Sequence, residues 1–352
     1  MAVAPSAAAP ETDDALTVSV IMPVYNGAAT LGQSLVPLLR MVHDGEIVEV
    51  IVVDDGSTDA TPEIAARLGT RVIDSGGRLG PGGARNVAAP TAAGNVLWFV
   101  DADVVVHEDA ARVLVDAFRT TGAAAVFGAY DDRPPAANFL SQYKNLVHHY
   151  YHSTGGGASE TFWAGCGAMR KAVFLDVGGF DAARYPQPSI EDIELGCRLR
   201  RRGLSIWLTP ALRGTHLKVW HLHSLLHTEY FRRALPWSRL IHAQRGVPAT
   251  LNFSPLERAR ALLAILLFAS LAAVAIDLVP WWVPFALVAA ALIANRKLLA
   301  LFRRRRGVLF ALAGVFFHQV YYLYATTAFV WSWLEQRWAA VRTVVTGPAQ
   351  LR

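Results

Sequence analysis

The first hundred residues of the chain contain three short apolar runs, and polar side chains follow each run closely. The runs cover residues 18–22, 48–53 and 96–100, and segments with helical periodicity separate them. This alternation is typical of βαβ units that build a parallel sheet. Apart from Glu49, the second run is apolar and β-branched, as expected for a strand buried on both faces. The chain is therefore predicted to begin with an α/β domain containing a mostly parallel sheet.

The run at 96–100 ends in two carboxylates, Asp101 and Asp103, which are one residue apart. Ligands bind at the carboxyl ends of strands in open α/β sheets, and alternate residues of an extended strand face the same way. Paired carboxylates at such an edge suit Mg²⁺ or Mn²⁺, which substrate phosphates also help to hold. His216, as a neutral imidazole, is a candidate further ligand. A solvated strand end without a ligand is the open alternative.

Candidate nucleotide-binding residues follow the other two runs. Tyr25 is placed to stack on a base, and Asp55 to accept hydrogen bonds from a base or a ribose. The Gly-rich stretch 80–86 opens a helix, where glycines let the backbone approach a phosphate and the helix amino terminus attracts anions. Arg85 within it would add a charge-assisted contact. The alternative for residues 54–57 is a simple turn that caps the next helix.

Glu191 and Asp192 begin a strongly basic helix predicted over residues 190–202. A helix amino terminus favours the anionic form of a carboxylate, which suits a general base. Charge complementarity with the helix dipole, without any catalytic role, is the alternative.

The composition changes after Leu256, where long apolar stretches carry almost no acidic residues. Over the whole chain 53% of residues are hydrophobic and only 17% are charged. The stretches at 261–279, 281–295 and 307–334 are predicted to be three transmembrane helices of a membrane domain covering residues 246–352. They lack the polar face that a helix of a soluble protein needs.

The basic residues predict a membrane topology. Arg296, Lys297 and the run 303–306 lie between the second and third stretches, and the positive-inside rule assigns them to the cytoplasm. The preceding domain, residues 16–245, is then cytoplasmic as well, which predicts a multi-pass protein of the cell membrane. Its last part, 216–245, mixes aromatic, aliphatic and basic residues and is predicted to lie on the bilayer surface.

The net charge and the cysteine count narrow the class of protein further. The formal charge of +5 indicates an anionic partner or a membrane surface, and no nucleic-acid-binding motif accompanies the basic residues. Cys166 and Cys197 are too few for a disulfide framework, which fits a reducing compartment. Residues 1–15 are rich in Ala and Pro and are predicted to be a disordered tail rather than a signal peptide.

Over residues 16–214 the chain resembles the family 2 glycosyltransferases, which have the GT-A fold. The motifs that carry the resemblance are Val20-Ile21-Met22-Pro23-Val24-Tyr25-Asn26, Val52-Val53-Asp54-Asp55-Gly56-Ser57-Thr58-Asp59, Gly83-Ala84-Arg85-Asn86, Asp101-Ala102-Asp103, Gly178-Gly179-Phe180-Asp181 and Glu191-Asp192. They occur in the order and at the spacings typical of that family.

The resemblance implies roles for individual residues. Asp192 matches the residue that deprotonates the acceptor, with Glu191 beside it, and His216 falls where a metal or diphosphate contact is common. The positions that match the nucleotide site are Pro23, Tyr25, Asp55, Gly83, Arg85 and Asp101. Asp101 and Asp103 match metal contacts, and the acceptor-side loop falls at Trp163, Gly165 and Cys166.

The resemblance also implies an activity. We expect a metal-dependent inverting transferase that uses Mg²⁺ or Mn²⁺ and moves a sugar from a nucleotide sugar, with a family tendency towards UDP-sugars. The apolar stretches favour a lipid or lipid-linked glycan as acceptor. Two alternatives stay open: a polyprenyl phosphate acceptor, as in dolichol-phosphate mannose synthase-like enzymes, and a membrane scaffold that binds nucleotide without catalysis. Residues 232–237 do not match the Gln-x-x-Arg-Trp signature of processive synthases, so polymer synthesis is not expected.

Overall fold

The computed structural model describes residues 15–243 and 254–346 of the chain. The predicted amino-terminal tail, apart from Ala15, and the predicted domain boundary at 245–246 lie outside these residues. The described strands form one sheet and are β1 (Val18–Val24), β2 (Glu49–Asp54), β3 (Arg71–Asp74), β4 (Val96–Val100), β5 (Val104–Val106), β6 (Ala125–Tyr130), β7 (Gly157–Ser159), β8 (Cys166–Arg170) and β9 (Ile206–His216).

Helices cover both faces of the sheet and then continue into a helical carboxyl-terminal region. Those before residue 243 are α1 (Leu31–His43), α2 (Thr61–Arg67), α3 (Gly80–Ala88), α4 (Ala110–Thr121), α5 (Phe139–Thr154), α6 (Lys171–Asp176), α7 (Glu191–Arg201), α8 (Leu222–His227) and α9 (Leu235–Ala243). The carboxyl-terminal helices are α10 (Pro255–Val274), α11 (Val283–Ala294), α12 (Arg296–Arg306) and α13 (Val308–Thr346).

The amino-terminal half of the sheet is parallel, as predicted. The strand order is β3-β2-β1-β4-β8-β6-β9-β5, with β7 paired to β9. Strand β1 pairs in parallel with β2 and β4, and β2 pairs in parallel with β3. Because these strands run in the same direction, their carboxyl ends at Val24, Asp54 and Val100 lie along one edge, where ligands bind in such sheets.

The prediction of a mostly parallel sheet does not hold in the other half, where β6 and β9 are the one parallel pair among the described strands. Strand β8 is antiparallel to both of its neighbours, β4 and β6, and both β5 and β7 are antiparallel to β9. Strand β8 begins at Cys166, directly after the loop that contains Trp163 and Gly165. Strand β5 follows Asp103 directly and was not predicted, because three valines are too few to display a periodicity. The fold is therefore an α/β fold with a mixed sheet.

Alternate residues of the strands feed two separate cores, one on each face of the sheet. On one face Val20 and Met22 pack with Leu35 of α1 and Phe118 of α4. The opposite face carries a group of buried aromatic rings around Phe99 of β4. The ring centroid of Phe99 lies 6.4 Å from that of Phe162, 5.2 Å from that of Phe174 and 5.4 Å from that of Phe180.

The described helices include fewer candidate membrane spans than the three predicted. Within residues 15–243 and 254–346, one helical stretch, Val308–Trp338 of α13, is long and apolar enough to cross a membrane by itself. Helices α11 and α12 reach that length only together, and they are bent by 76°. Helix α10, which covers the first predicted span, buries the charged residues Glu257 and Arg260 near its start.

The basic run 303–306 is part of a helix and not a loop. Helix α12 packs on α5, where Leu298 and Phe302 join Tyr143 in one buried cluster. At its end Arg305 forms an ion pair with Asp132, and the Arg306 Nε donates to Gln142 Oε1 at 2.5 Å. The carboxyl-terminal helices are therefore joined to the α/β domain by polar as well as apolar contacts.

The segment predicted to lie on a bilayer surface forms α8, a wider π-helical stretch over Thr228–Ala234, and α9. Phe231 is exposed, as expected for a surface segment. Glu229, Leu240 and Ile241 are buried, however, and α9 packs closely on α13. One face of this segment is therefore part of the protein interior, which the sequence alone did not indicate.

Truncation of Phe99 tests the aromatic core beneath β4. We expect Phe99→Ala to lower the free energy of unfolding by about 3–5 kcal/mol, because it removes a fully buried ring and leaves a cavity. Urea unfolding followed by intrinsic fluorescence measures the change. Leu175→Ala, at an exposed position of α6 beside Phe174, is the control and should change it by less than about 1 kcal/mol. Equal effects of the two substitutions would contradict this packing.

Candidate active site

A cavity of about 1030 Å³ opens at the carboxyl edge of β1, β2 and β4. It continues past the sheet towards α5, the 228–234 segment, α10 and α13. The structure brings most of the predicted site residues together around it. Those that line the cavity are Pro23, Tyr25, Asp55, Arg85, Asp101, Asp103, Trp163, Gly165, Glu191, Asp192 and His216.

Two of the predicted site residues, Gly83 and Cys166, do not line this cavity. Gly83 is buried in α3, and a Cβ at this position would lie 2.6 Å from the Cβ of Leu79. Its small size therefore serves helix packing and not a close approach to phosphate. Cys166 is buried in β8, and burial raises the pKa of its thiol to about 12, which makes it unreactive at neutral pH.

The loops that follow β1 and β2 are held together by Asn26, which has a positive φ of 51°. Its backbone N–H donates to the Ser57 hydroxyl at 2.9 Å, and its Oδ1 accepts from the Thr58 N–H at 2.8 Å. The neighbouring Tyr25 ring is exposed, and the Arg78 guanidinium lies 3.8 Å from its centroid. This exposed ring is available at the cavity wall to stack on a planar group.

Asp55 holds the loop that leads into α3. One carboxylate oxygen accepts from the Leu79 N–H at 2.8 Å and from the Ser75 hydroxyl at 3.0 Å. The other oxygen accepts from the Gly80 N–H at 2.9 Å. Asp55 thus positions the Gly-rich loop beside Tyr25, in addition to the base or ribose contact that the sequence motif predicts.

Arg85 is the buried cation at the centre of the cavity floor. Its Nη2 lies 2.5 Å from Asp101 Oδ1, and its Nη1 lies 4.0 Å from Glu191 Oε1. Within the described parts of the chain its Nε has no hydrogen-bond partner. The rings of Phe99 and Phe180 lie 5.9 Å and 5.4 Å from the guanidinium carbon. Arg85 therefore joins the end of β4 to the start of α7.

Asp103 and His216 are the predicted metal ligands that the structure places in direct contact. His216 Nε2 lies 3.5 Å from Asp103 Oδ2, and the His216 ring stacks on Tyr130 with a centroid distance of 4.2 Å. Burial alone would raise the pKa of Asp103, but the hydrogen bond and charge of His216 hold it below its ordinary value. Within residues 15–243 and 254–346 no three His, Cys, Asp or Glu side chains are grouped closely enough to enclose a metal ion.

Burial overrides the helix dipole at the start of α7. Desolvation raises the pKa of Asp192, although its carboxylate accepts from the Ala164 N–H at 3.1 Å and the Ile193 N–H at 2.8 Å. Desolvation and the charge of Asp192 raise the pKa of Glu191 to about 7. The helix start therefore does not by itself keep the pKa values of these two carboxyl groups at or below their ordinary range. A carboxyl group whose pKa is raised towards neutrality is, however, better suited to general base catalysis.

The acceptor-side loop packs against the end of β4. The Asp101 N–H donates to the Gly165 carbonyl at 3.2 Å, and a Cβ on Gly165 would lie 2.6 Å from the Trp163 ring. Trp163 itself contacts Tyr130 and His148, with centroid distances of 4.7 Å and 4.6 Å. These rings form the wall of the cavity next to Asp192.

Three further residues of the cavity wall, Lys144, Glu229 and Arg233, were not predicted from the sequence. Lys144 Nζ lies 2.6 Å from Glu229 Oε2, and Arg233 Nη1 lies 3.3 Å from Glu229 Oε1. The spacing of Glu229 and Arg233, four residues apart in a helical segment, was the available signal. This spacing was overlooked because residues 216–245 were interpreted as a segment on the bilayer surface.

Comparisons with known proteins identify the class of this chain. The model of the family "Glycosyl transferase family 2" matches residues 19–202, which is more than half of the chain. The chain therefore belongs to glycosyl transferase family 2, and it is an enzyme of that class.

Two relatives come from Rhizobium meliloti. The succinoglycan biosynthesis protein ExoO is 34% identical over 117 residues, which are 32% of this chain and 33% of ExoO. The succinoglycan biosynthesis protein ExoA is 29% identical over 205 residues, which are 54% of this chain and 60% of ExoA. The chain thus spans one third of the first relative and less than two thirds of the second.

Among solved structures, the chain is similar to the mannosyltransferase PcManGT from Pyrobaculum calidifontis in complex with GDP-Man and Mn²⁺. The TM-score is 0.54 at 20% identity, and the match covers 92% of this chain and 89% of that one. This similarity confirms the GT-A fold and extends beyond the α/β domain into the carboxyl-terminal helices.

The raised pKa of Glu191 makes a prediction about stability. Its ordinary value is 4.5 and its folded value about 7, so the folded state binds the proton more tightly. Stability is therefore expected to fall as the pH rises between these values. Glu191→Gln should flatten this part of the pH dependence, because Gln keeps an acceptor for the Ser189 N–H, which now donates to Glu191 Oε2 at 2.8 Å.

Thermal unfolding of the wild type and of Glu191→Gln between about pH 4.5 and 7.5 measures the difference in slope. Glu108→Gln is the matched control, because the Glu108 side chain is 86% exposed and should leave the slope unchanged. Identical slopes for the wild type and Glu191→Gln would contradict a raised pKa at this position.

Proposed function

We propose that the protein is a metal-dependent inverting glycosyltransferase. It moves a sugar from a nucleotide sugar, with UDP-sugars as the first candidates, to a hydroxyl group of a lipid or lipid-linked glycan. The observation that carries this proposal is the convergence of Tyr25, the pair Asp101 and Asp103, and Asp192 on one cavity. These groups supply a stacking surface, a cation site and a base within the same enclosed space.

Tyr25 and the loop held by Asp55 are proposed to bind the nucleoside. An exposed ring stacks on any base, and the loop amides that Asp55 orders would face the ribose side of the cavity. Burial raises the pKa of Asp101, and direct contact with Arg85 opposes this rise, which favours the ionised form that accepts hydrogen bonds or joins a metal shell. The GDP-Man named for PcManGT supports a nucleotide-sugar donor, but it does not fix the base for this chain.

The donor set fits a divalent cation. Asp101 and Asp103 are oxygen ligands that both face the cavity, and His216 contacts Asp103. Mg²⁺ and Mn²⁺ are commonly held by one or two carboxylates and completed by substrate phosphates, so a set with fewer than three clustered residues is consistent with them. When bound there, the cation would neutralise charge on the departing nucleoside diphosphate.

Asp192 is proposed to accept the proton of the acceptor hydroxyl. The hydroxyl oxygen forms a new bond to the anomeric carbon, and the bond from that carbon to the diphosphate oxygen breaks. The proton passes to the Asp192 carboxylate, which the Ala164 N–H holds in place. A single displacement inverts the anomeric configuration. The raised pKa of Asp192 favours this hydroxyl acceptor, since an ionised phosphate would have no proton to give.

The site is proposed to work at the cytoplasmic face of the cell membrane. Helix α13 supplies exposed apolar side chains, among them Leu309, Leu312 and Phe316, that would contact the membrane. Arg305 and Arg306 of α12 contact Asp132 and Gln142 of the α/β domain, so the basic run and this domain are on the same side. By the positive-inside rule, that side is the cytoplasm.

The donor half of this proposal predicts metal-dependent donor hydrolysis. The purified full chain in detergent should slowly release a nucleoside diphosphate from one of UDP-, GDP- or dTDP-sugars with Mn²⁺, and EDTA should abolish release. Asp103→Ala should reduce release at least about 100-fold, because it removes a ligand of the cation. Asp176→Ala, at an exposed position in α6, should retain the wild-type rate. Equal release with EDTA and with Mn²⁺ would contradict metal dependence.

The proposed role of Asp192 as the general base predicts how the variant Asp192→Asn behaves. This change should lower kcat for transfer about 10²–10⁴-fold, since Asn cannot accept the proton, while the Kd for nucleoside diphosphate stays within about twofold. In the wild type, kcat should fall as the pH is lowered through the raised pKa of Asp192. Rapid-quench transfer assays across pH measure both effects. Full transfer by Asp192→Asn would remove Asp192 from this role.

A further inference from the structure

Helix α13 is long enough to cross a membrane, but the chain at both of its ends is tied to the same α/β domain. Just before the helix begins, Arg306 donates to Gln142 of α5. Near its other end, Glu335 accepts two hydrogen bonds from Arg239 of α9, of 2.7 and 2.9 Å. From Val308 to Glu335 the helix is about 40 Å long. A hydrocarbon core of about 30 Å would fit between these ends only if the α/β domain crossed it too.

The α/β domain also contacts α13 between its ends. The Tyr143 hydroxyl lies 2.8 Å from His318 Nδ1, and the Tyr324 hydroxyl donates to Glu229 at 3.3 Å. Glu229 is itself paired with Lys144, and helix α9 packs on the part of α13 that follows. Charged groups are costly in hydrocarbon. Lipid could therefore not surround α13 at this level without burying charges of the α/β domain.

The polar and apolar side chains of α13 lie on different faces. His318 and Ser332 are fully buried, whereas Leu309, Leu312 and Phe316 are exposed. The spacing of three and four residues between the exposed side chains places them on one side of the helix. A helix surrounded by lipid needs no polar face. A helix that lies along a protein, with one side in lipid, is expected to have this pattern.

Helices α10 and α11 extend this apolar surface. Phe268 of α10 lies beside Phe316, with a ring centroid distance of 6.5 Å, and α11 packs on α10. The turn between the two helices exposes Trp281 and Trp282. Helix α11 has 12 residues and is therefore about 18 Å long, which is too short to cross a hydrocarbon core of about 30 Å.

The basic end of α12 lies beside the apolar surface in the chain. Arg303 and Arg304 are exposed, and the exposed Val308 and Leu309 follow shortly after them. Basic residues next to exposed apolar side chains are typical of segments that bind anionic headgroups while the apolar side chains enter the leaflet. A second copy of the chain fits less well, because a symmetric interface would bring the same arginines together.

We propose that the carboxyl-terminal helices form a monotopic anchor in one leaflet of the membrane. The exposed apolar side chains of α10, α11 and α13 enter this leaflet, and the basic end of α12 contacts its anionic headgroups. None of the described helices crosses to the other side, unlike the multi-pass topology expected from the hydropathy of the sequence. This inference rests on the membrane location in the proposed function, and it adds that both ends of α13 stay on the side of the α/β domain.

Cysteine labelling of the full chain tests which side of the membrane the end of α13 occupies. Gln336→Cys places a thiol at an exposed position beside Glu335. Glu108→Cys is the matched control on the α/β domain, where this side chain is 86% exposed. The native Cys166 and Cys197 are buried, so the wild type is the blank. In intact spheroplasts a membrane-impermeant maleimide should label neither variant, and permeabilisation should make both react equally.

Labelling of Gln336→Cys but not of Glu108→Cys in intact spheroplasts would overturn the inference, because α13 would then cross the membrane. Failure of Gln336→Cys to react even after permeabilisation would also overturn it, since the end of α13 would not be exposed on that side. Labelling of both variants in intact spheroplasts would support the anchor but contradict the cytoplasmic location in the proposed function.

Vesicle flotation tests the surface that enters the leaflet. The purified full chain, after removal of detergent, should float with vesicles of phosphatidylcholine and phosphatidylglycerol. Leu309→Glu with Leu312→Glu should lower the partition coefficient at least about tenfold, because it puts charges on the inserted face. Val36→Glu with Leu175→Glu is the matched control, since both residues are exposed apolar residues of the α/β domain. It should stay within about twofold of the wild type.

The headgroup contact predicts a dependence on lipid charge. Arg303→Gln with Arg304→Gln should lower the partition coefficient at least about fivefold for the vesicles with phosphatidylglycerol, and leave it unchanged for phosphatidylcholine alone. Wild-type partitioning of Leu309→Glu with Leu312→Glu would overturn the inference. If that variant instead converted a dimer into a monomer and still floated, a second copy would cover this face. Donor hydrolysis should persist in all these variants, so its absence from the wild type would count against the proposed function alone.

Discussion

The buried guanidinium of Arg85 is the contact on which the site depends. It lies against Asp101 at the end of β4 and faces Glu191 at the start of α7, so one side chain joins the donor and acceptor sides. Removing one partner of a buried ion pair typically costs 3–5 kcal/mol, about half the stability of many domains. Because Asp101 and Glu191 would repel each other without this cation, the closeness of the two sides requires it.

In the proposed function, the two halves of the sheet would serve the donor and the acceptor respectively. The parallel half brings its strand ends to one edge and so collects the donor residues by topology alone. The mixed half begins with β8, which runs antiparallel to β4 and places Gly165 next to Asp101. The carboxyl-terminal helices then close the far side of the cavity. The proposed donor site and the proposed acceptor side thus lie in different parts of the fold.

The sequence predicted well which residues gather at the carboxyl edge of β1, β2 and β4, because the order and direction of these strands determine that edge. Once strands and helices alternate, Tyr25, Asp101 and Asp103 must meet, whatever their side-chain contacts. The sequence did not predict features that depend on tertiary packing. Gly83 and Cys166 match family motifs, but the motifs did not indicate that both residues are buried in the protein interior. The contact of Lys144 with Glu229 joins residues 85 positions apart in different helices, and no local pattern encodes such a pair. The bend of 76° between α11 and α12 also could not be predicted from the hydropathy of the sequence.

The π-helical stretch Thr228–Ala234 has a consequence for how such enzymes diversify. A wide turn of this kind corresponds to one extra residue in a helix, and each residue of an α-helix adds about 100° of rotation. The wide turn takes up this extra residue, so Leu240 and Ile241 of α9 keep the interior positions that they would have after a regular α-helix. A one-residue deletion that restores a regular α-helix would therefore leave α9 in place and remove one side chain from this part of the cavity wall, without touching the residues at the strand edge.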